Sequence, residues 1–318
     1  MNKLDETEII RIFQRRFGRK SKFVSEDVEV LRMGRATLVT KSDMLVESTD
    51  VPPGMKAMEI ARKSMVACVS DFACKGIKPR YATISLAIPR RFSKSKINEL
   101  SAGFTKASRE FGVKIIGGDV NEGREIVIEV SMFGIGKKIV NRSGAKSNDI
   151  IITSGSFGYS SAGLRIILNH LKADSKFAKK CKRLVFIPTP KLKFGLAIAN
   201  YVSSAMDSSD GLSNTLNEMS RQSGKKFVIT RLPTKPVVEQ FAKKNKIKLT
   251  DLVFCGGEEY EIVATVSQNN LPKIRHISRI QKVPLFEIGY VTKGRNVIYQ
   301  EKNKITTIKD CGWLHFKS

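Results

Sequence analysis

Apolar positions recur with helical spacing in several stretches of the chain. From Met55 to about Lys75 they fall at Met58, Ile60, Ala61, Met65, Val66, Val69, Phe72 and Ala73, a spacing that predicts one long helix. "SKSKINELSAGFTKASREFG" predicts a second, opened by a serine cap and stopped by Gly112. Residues 5–17 predict a short amphipathic helix, and "SAGLRIILNHL" and "PTPKLKFGLAIANYVSS" open two more. Leu212, Leu216 and Met219 share one face of a helix that Gly224 ends.

Alternating or short apolar runs predict strands between these helices. They fall at 36–48, in "RYATISLAIPRR" up to Pro89, in "VKIIGGDV" as a short buried strand, and in "REIVIEVSMFGIG". "PPGM" marks a turn. Beyond a polar, turn-rich stretch at 137–148 come "DIIITSG", "KFVITRL", "LVFCGGEEYEIVATV" broken by a glycine pair, and the hairpin "RNVIYQEKNKITTI". The boundary suggested is between a first domain, 1–140, and a second, 141–318. Neither half alternates strictly as βαβ, so the expected class is α/β, built of α+β layers.

Composition excludes several classes. With 318 residues and 41% hydrophobic positions, the chain can bury real cores. No apolar run approaches the roughly 20 residues that span a bilayer, and the charged N-terminus lacks the apolar core of a signal peptide. A cytoplasmic protein is expected. The five cysteines are scattered and make no C-x-x-C pair, which argues against a disulfide framework or a zinc site and for buried thiols. The three histidines lie far apart. The net charge of +26 invites polyanions, yet the lysines spread over the whole chain and no nucleic-acid-binding motif accompanies them.

Against that basic background six aspartates stand out. Asp27, Asp43, Asp71, Asp119, Asp207 and Asp210 each lie near the end of an apolar run, beside small residues. Carboxylate oxygens are hard ligands, and magnesium takes few of them per ion, sharing the rest with water and phosphate. Aspartates converging from separate strand ends would hold such ions against a nucleotide. Taken singly, each also reads as a cap or turn residue. The glycine-rich stretches "GGD", "SGSFGYSSAG" and "GGEEYE" offer backbone amides for phosphate oxygens. Neither a P-loop nor a G-x-G-x-x-G fingerprint is present.

The ordered set "SDMLVE", "SDFACKGIKP", "IIGGDV", "RSGAK", "SGSFGYSSAGL", "PTPK", "MDSSDGL", "GGEEYE" and "GWLHF" resembles the thiamine-monophosphate kinase family, over nearly the whole chain. That family belongs to the aminoimidazole ribonucleotide synthetase-like superfamily. The resemblance implies a two-domain fold whose N-terminal sheet pairs with a second copy into a barrel-like homodimer interface. It implies ATP as co-substrate, several magnesium ions, and direct in-line phosphoryl transfer to thiamine monophosphate, giving thiamine diphosphate. It further implies magnesium at Asp27, Ser42, Asp43, Asp71, Asp119, Asp207 and Asp210, with Asp43, Asp71, Asp119 and Asp210 central to catalysis. Gly118, Asp119, Arg142 and Ser209 match ATP contacts, and Glu258 and Trp313 match the thiamine side.

The chain departs from the family pattern at several places. Ser25, Glu26 and Asp27 stand where Gly-Asp-Asp is usual. Asp50 replaces a substrate-facing histidine, Ile187 an arginine, and Val120 a threonine. The ATP and metal side is thus better matched than the acceptor side. A diverged superfamily member that phosphorylates or ATP-activates another small acceptor is the alternative reading.

Overall fold

The computed structural model describes residues 5–16, 26–136 and 138–316; Phe17 and Ser25 lie outside them. The first half runs α1 (Glu6–Arg16), β1 (Glu29–Met33), β2 (Ala36–Val46), α2 (Glu47–Asp50), α3 (Ala57–Cys74), β3 (Pro79–Pro89), α4 (Lys94–Phe111), β4 (Lys114–Gly123) and β5 (Val127–Ile135). Its strands form one sheet in the order β1-β2-β5-β3-β4, antiparallel except for the parallel pair β3–β4. α4 forms where expected. The Ser93 hydroxyl accepts the Lys96 N–H at 3.3 Å, Gly112 closes the helix in the left-handed region, and Leu100, Phe104, Ala107 and Phe111 bury one face.

The second half runs β6 (Ile150–Thr153), α5 (Tyr159–Leu168), α6 (Ser175–Phe186), α7 (Leu192–Ile198), β7 (Val202–Ser208), α8 (Leu212–Ser223), β8 (Lys226–Ile229), α9 (Pro236–Lys244), α10 (Leu249–Phe254), β9 (Glu261–Val266), α11 (Leu271–Gln281), β10 (Phe286–Thr292), β11 (Val297–Glu301) and β12 (Lys304–Thr307). The sheet order is β12-β11-β8-β10-β6-β9-β7. Leu212, Leu216 and Met219 of α8 are fully buried against it. No described helix is long and apolar enough to cross a membrane.

Three expectations are corrected. "VKIIGGDV" is no short buried strand: β4 is a long edge strand, exposed over most of its length, because β3 pairs it on one side only. "LVF" before the glycine pair closes helix α10, and the strand starts only at Glu261. "VSSAMDS" is strand β7, whose small polar residues hide it from a hydrophobicity pattern.

Helix α3 is the common wall of the two halves. It is buried nearly all round, as a helix between two layers must be. Met65, Val69 and Phe72 join the core of the first sheet. Ala73 and Cys74, at its end, pack with Phe194 and Ile198 of α7 and with Ala205 and Ile262 of the second sheet. The seam closes tightly at Gly195, where an added Cβ would lie 2.0 Å from the Ala73 carbonyl oxygen. Gly195→Ala is therefore expected to destabilise the protein by roughly 1–3 kcal/mol through overpacking. Urea unfolding of variant and wild type measures it, and an unchanged midpoint would refute this account of the seam.

Candidate active site

The seam carries buried charge. Asp27 precedes β1, Asp71 lies in the last turn of α3, and Asp207 near the end of β7. These three bring one oxygen each within 4.8 Å of one another, and all are buried. Two cations answer Asp27. The Lys75 ammonium is 2.7 Å away and fully buried, and Arg142 Nε donates at 2.8 Å. Burial alone would raise the Asp27 pKa; Lys75 and Arg142 outweigh it and hold this carboxyl well below the usual range. Lys75 also reaches Glu26 at 2.6 Å and the Ala205 carbonyl at 3.2 Å, and the Arg142 backbone N–H donates to Glu26.

The other two aspartates are less well compensated. Burial first, then the Asp27 charge, pushes Asp207 up to about 7. Burial also raises Asp71, which Lys41 at 3.0 Å opposes while Asp207, Asp27 and Asp43 reinforce the rise. Asp43 lies on the same face of β2 as Lys41, 3.6 Å from its ammonium. Asp210, just before α8, is pushed up to about 6 by burial and then by the charges of Glu6 and Asp43. Negative charge thus exceeds what the neighbouring cations neutralise.

Around this cluster three loops are laced together. The Ser209 carbonyl accepts the Glu258 N–H, and the Asp210 carbonyl accepts the Trp313 N–H at 2.9 Å. At Gly257 a Cβ would stand 2.8 Å from the Ser209 carbonyl oxygen, so only glycine lets these loops touch. The expectation of free thiols holds for Cys68, Cys74 and Cys181, all buried. It fails for Cys255 and Cys311, which form a disulfide across 56 residues of sequence. The chain's return to the loop before "GGEEYE" brings them together, a proximity that spacing cannot reveal.

The three glutamates of "GGEEYE" that could meet a ligand are divided. Glu258, at φ 64, ion-pairs with the buried Lys63 of α3, and its other oxygen, Oε2, is buried with no hydrogen-bond partner. Glu259 accepts the amides of Gly158 and Ser160 at 2.7 and 3.3 Å, and Glu261 accepts from the Ser154 hydroxyl at 2.6 Å. The amides at the start of α5, expected to cradle phosphate, are thus taken by Glu259. Asp50 turns its carboxylate to the Val46 N–H at 2.7 Å, while its own carbonyl accepts from Lys63. Trp313 is exposed, its ring edge-on to His315.

The AIR synthase related protein N-terminal domain family matches residues 25–136, and the corresponding C-terminal domain family matches 146–302. The chain is 50% identical to a thiamine-monophosphate kinase of Nitrosopumilus maritimus over the full length of both proteins. It is 33% identical to one of Pyrococcus horikoshii, covering 100% of this chain and 98% of that one. The chain belongs to the thiamine-monophosphate kinase family. It is a phosphotransferase on the two-domain AIR synthase-like fold. A solved structure of AaThiL complexed with AMPPCP and TMP superposes with a TM-score of 0.87 at 24% identity, covering 99% of this chain and 98% of that one.

Of the positions that the kinase motifs single out, Asp27, Asp43, Asp71, Asp207, Asp210 and Arg142 gather at one place. Ser209, Glu258 and Trp313 adjoin it through the loops. Ser42 and Asp119 do not join them. Strand alternation turns Ser42 to the opposite face of β2 from Asp43, where its hydroxyl meets Glu129. Asp119 lies in one cross-strand row with Ser85 and Glu129 on that same outer face, and is exposed. Gly118, beside it, lets β4 approach β3: a Cβ there would overlap the Ile84 carbonyl. Sequence reasoning missed Lys41, Lys63 and Lys75, whose one signal is position, since each stands within or beside an apolar run that also bears a site aspartate or faces one.

The donor set suits a hard divalent cation: three buried carboxylates, close together and short of positive charge. Asp207 gives a test free of any assay of turnover. Its folded pKa lies above its unfolded one, so the native state holds the proton more tightly, and this group's contribution to stability falls as pH rises from 3.8 to about 7. At pH 8 without metal, Asp207→Asn is expected to be more stable than wild type by on the order of 1–3 kcal/mol. The difference should vanish near pH 4, and added magnesium should stabilise wild type more than the variant. A less stable variant at pH 8 would show that the carboxylate is already compensated.

Proposed function

We propose that this phosphotransferase transfers the γ-phosphoryl group of ATP, with magnesium, directly to the phosphate of thiamine monophosphate, giving thiamine diphosphate. The single observation that carries the reading is the Asp27, Asp71 and Asp207 triad, gathered from both halves of the chain and short of cations. The 50%-identical kinase and the AMPPCP and TMP bound to the structural relative support the choice of substrates over a different acceptor.

In this reading residues 1–140 bind ATP and magnesium and residues 141–318 complete the cleft. Asp27, Asp71 and Asp207 hold metal, with Asp43 and Asp210 on its flanks. Magnesium, when bound, supplies the positive charge that lets two anionic phosphates approach. The acceptor is a phosphate, already anionic at neutral pH, so no side chain need remove its proton, and in-line transfer becomes a matter of alignment and charge. Arg142 and Ser209 border the nucleotide. Glu258, with one oxygen unpartnered, and the exposed Trp313 face the thiazolium and pyrimidine end, where an aromatic face attracts a cationic ring.

A homodimer completes the picture. The outer face of the first sheet exposes Met44, Tyr81 and Ile135, with Ile116 and Val120 along the uncovered edge strand β4. Such a face suits a second copy. Pairing there would set Ser42, Gly118 and Asp119 at the joint, which is how these exposed positions enter the ATP site. The reaction belongs in the cytoplasm, where ATP is at hand.

Incubation with Mg-ATP and thiamine monophosphate, with product identification, is expected to yield thiamine diphosphate and ADP. Asp71→Asn is expected to lower kcat at least about 100-fold. Binding of Mg-ATP with no conversion of thiamine monophosphate would sink the acceptor assignment. The disulfide makes a separate prediction. Cys311→Ser and Trp313→Ala should both raise KM for thiamine monophosphate about 3- to 30-fold and leave KM for ATP unchanged. Equal effects on both substrates would remove Trp313 from the acceptor side.

A further inference from the structure

Lys41 is an anomaly in the cluster. It points to the inner face of β2 in register with Val39, Asp43 and Leu45. That face packs on α3, and its strand positions Val39 and Leu45 are buried. The ammonium lies 3.0 Å from Asp71 and 3.6 Å from Asp43, a point from which a single cation serves both carboxylates. Among the described residues, the ion pairs of these two aspartates are both with Lys41. Lys75 and Arg142 are committed to Asp27. Lys41 lies mid-strand in the eleven-residue β2, and its carbonyl is approached by the Cys68 thiol of α3, which fixes the backbone from which the ammonium reaches both carboxylates.

We infer that the Lys41 ammonium permanently fills one cation position between Asp43 and Asp71, so that this kinase assembles its phosphate site with one divalent ion fewer than its carboxylates could hold. The inference rests on the metal-phosphate reading of the cluster but not on the identity of the acceptor. A tethered ammonium neutralises one charge, keeps the two carboxylates from repelling each other before nucleotide arrives, and offers N–H donors where an ion would offer open coordination positions. A divalent ion brought to the same point would meet a like charge at contact distance, which excludes it while the lysine remains. Lys41 is thereby a positioning residue for Asp43 and Asp71.

The test counts metal ions. Mn²⁺ binding to the full chain, followed by electron paramagnetic resonance with saturating AMPPCP, is compared among wild type, Lys41→Ser, Lys41→Met and Lys41→Arg. Lys41→Ser and Lys41→Met are expected to bind one additional Mn²⁺ per chain, and Lys41→Arg the wild-type number. Lys41→Met fills the same stem volume and guards against a failure of Lys41→Ser to fold, which circular dichroism reports. Equal Mn²⁺ numbers in all four proteins would mean that the lysine withdraws when metal enters, and would overturn the inference. So would fewer ions in the folded Lys41→Met. Thiamine monophosphate turnover in the same wild-type preparation stands apart: its absence would strike the proposed acceptor and leave the ion count intact.

Discussion

Three carboxylates with one oxygen each within 4.8 Å of one another, out of water, repel. That repulsion is the constraint on which the rest depends. Isolated ionised groups cannot be buried without partners, and the chain answers Asp27 fully, through Lys75 and Arg142, but not Asp207, whose pKa rises to about 7. The deficit is not an accident of one side chain. Asp27, Asp71 and Asp207 come from a loop, a helix end and a strand end, so the packing of both halves must fix the cluster. Uncompensated buried negative charge of this kind favours a cation beside it.

The scaffold explains why the deficit persists. Helix α3 presents apolar side chains to one sheet along most of its length and meets the second half at its end, where the close contact of Gly195 with Ala73 fixes the seam. Asp71 stands at this seam, one turn before Lys75. The loops bearing Asp210, Glu258 and Trp313 are then joined by backbone hydrogen bonds and by the Cys255–Cys311 disulfide. Charge sits on the wall between the two halves, and Glu258 and Trp313, which we propose to face the acceptor, sit on the laced rim. This division suits phosphoryl transfer, in which alignment and charge matter more than proton removal.

Much of this was legible in the sequence where a physical signal is local. Ser93 and Gly112 mark the ends of α4 because caps and left-handed glycines act over one turn. Leu212, Leu216 and Met219 give α8 its buried face. The aspartates stood out because they gather beside small residues in a basic chain, and the ordered motifs led to the right family. What stayed hidden depends on three-dimensional context. Strand β7 escaped because "VSSAMDS" has neither alternation nor bulk. The buried role of Lys41, Lys63 and Lys75 is invisible in a chain so rich in lysine. The disulfide joins residues 56 apart, and the opposed faces of Ser42 and Asp43 follow from strand alternation once the sheet's buried side is known.

The central claim is that the seam cluster binds the metal that accompanies ATP. The most direct measurement is a crystal structure of the protein grown with Mn²⁺ and AMPPCP, with metal located by anomalous scattering. The account predicts an anomalous peak within coordination distance of Asp27, Asp71 and Asp207, bridged to the phosphates of the nucleotide. Nucleotide bound with its metal elsewhere, and the three carboxylates left without a peak, would contradict it.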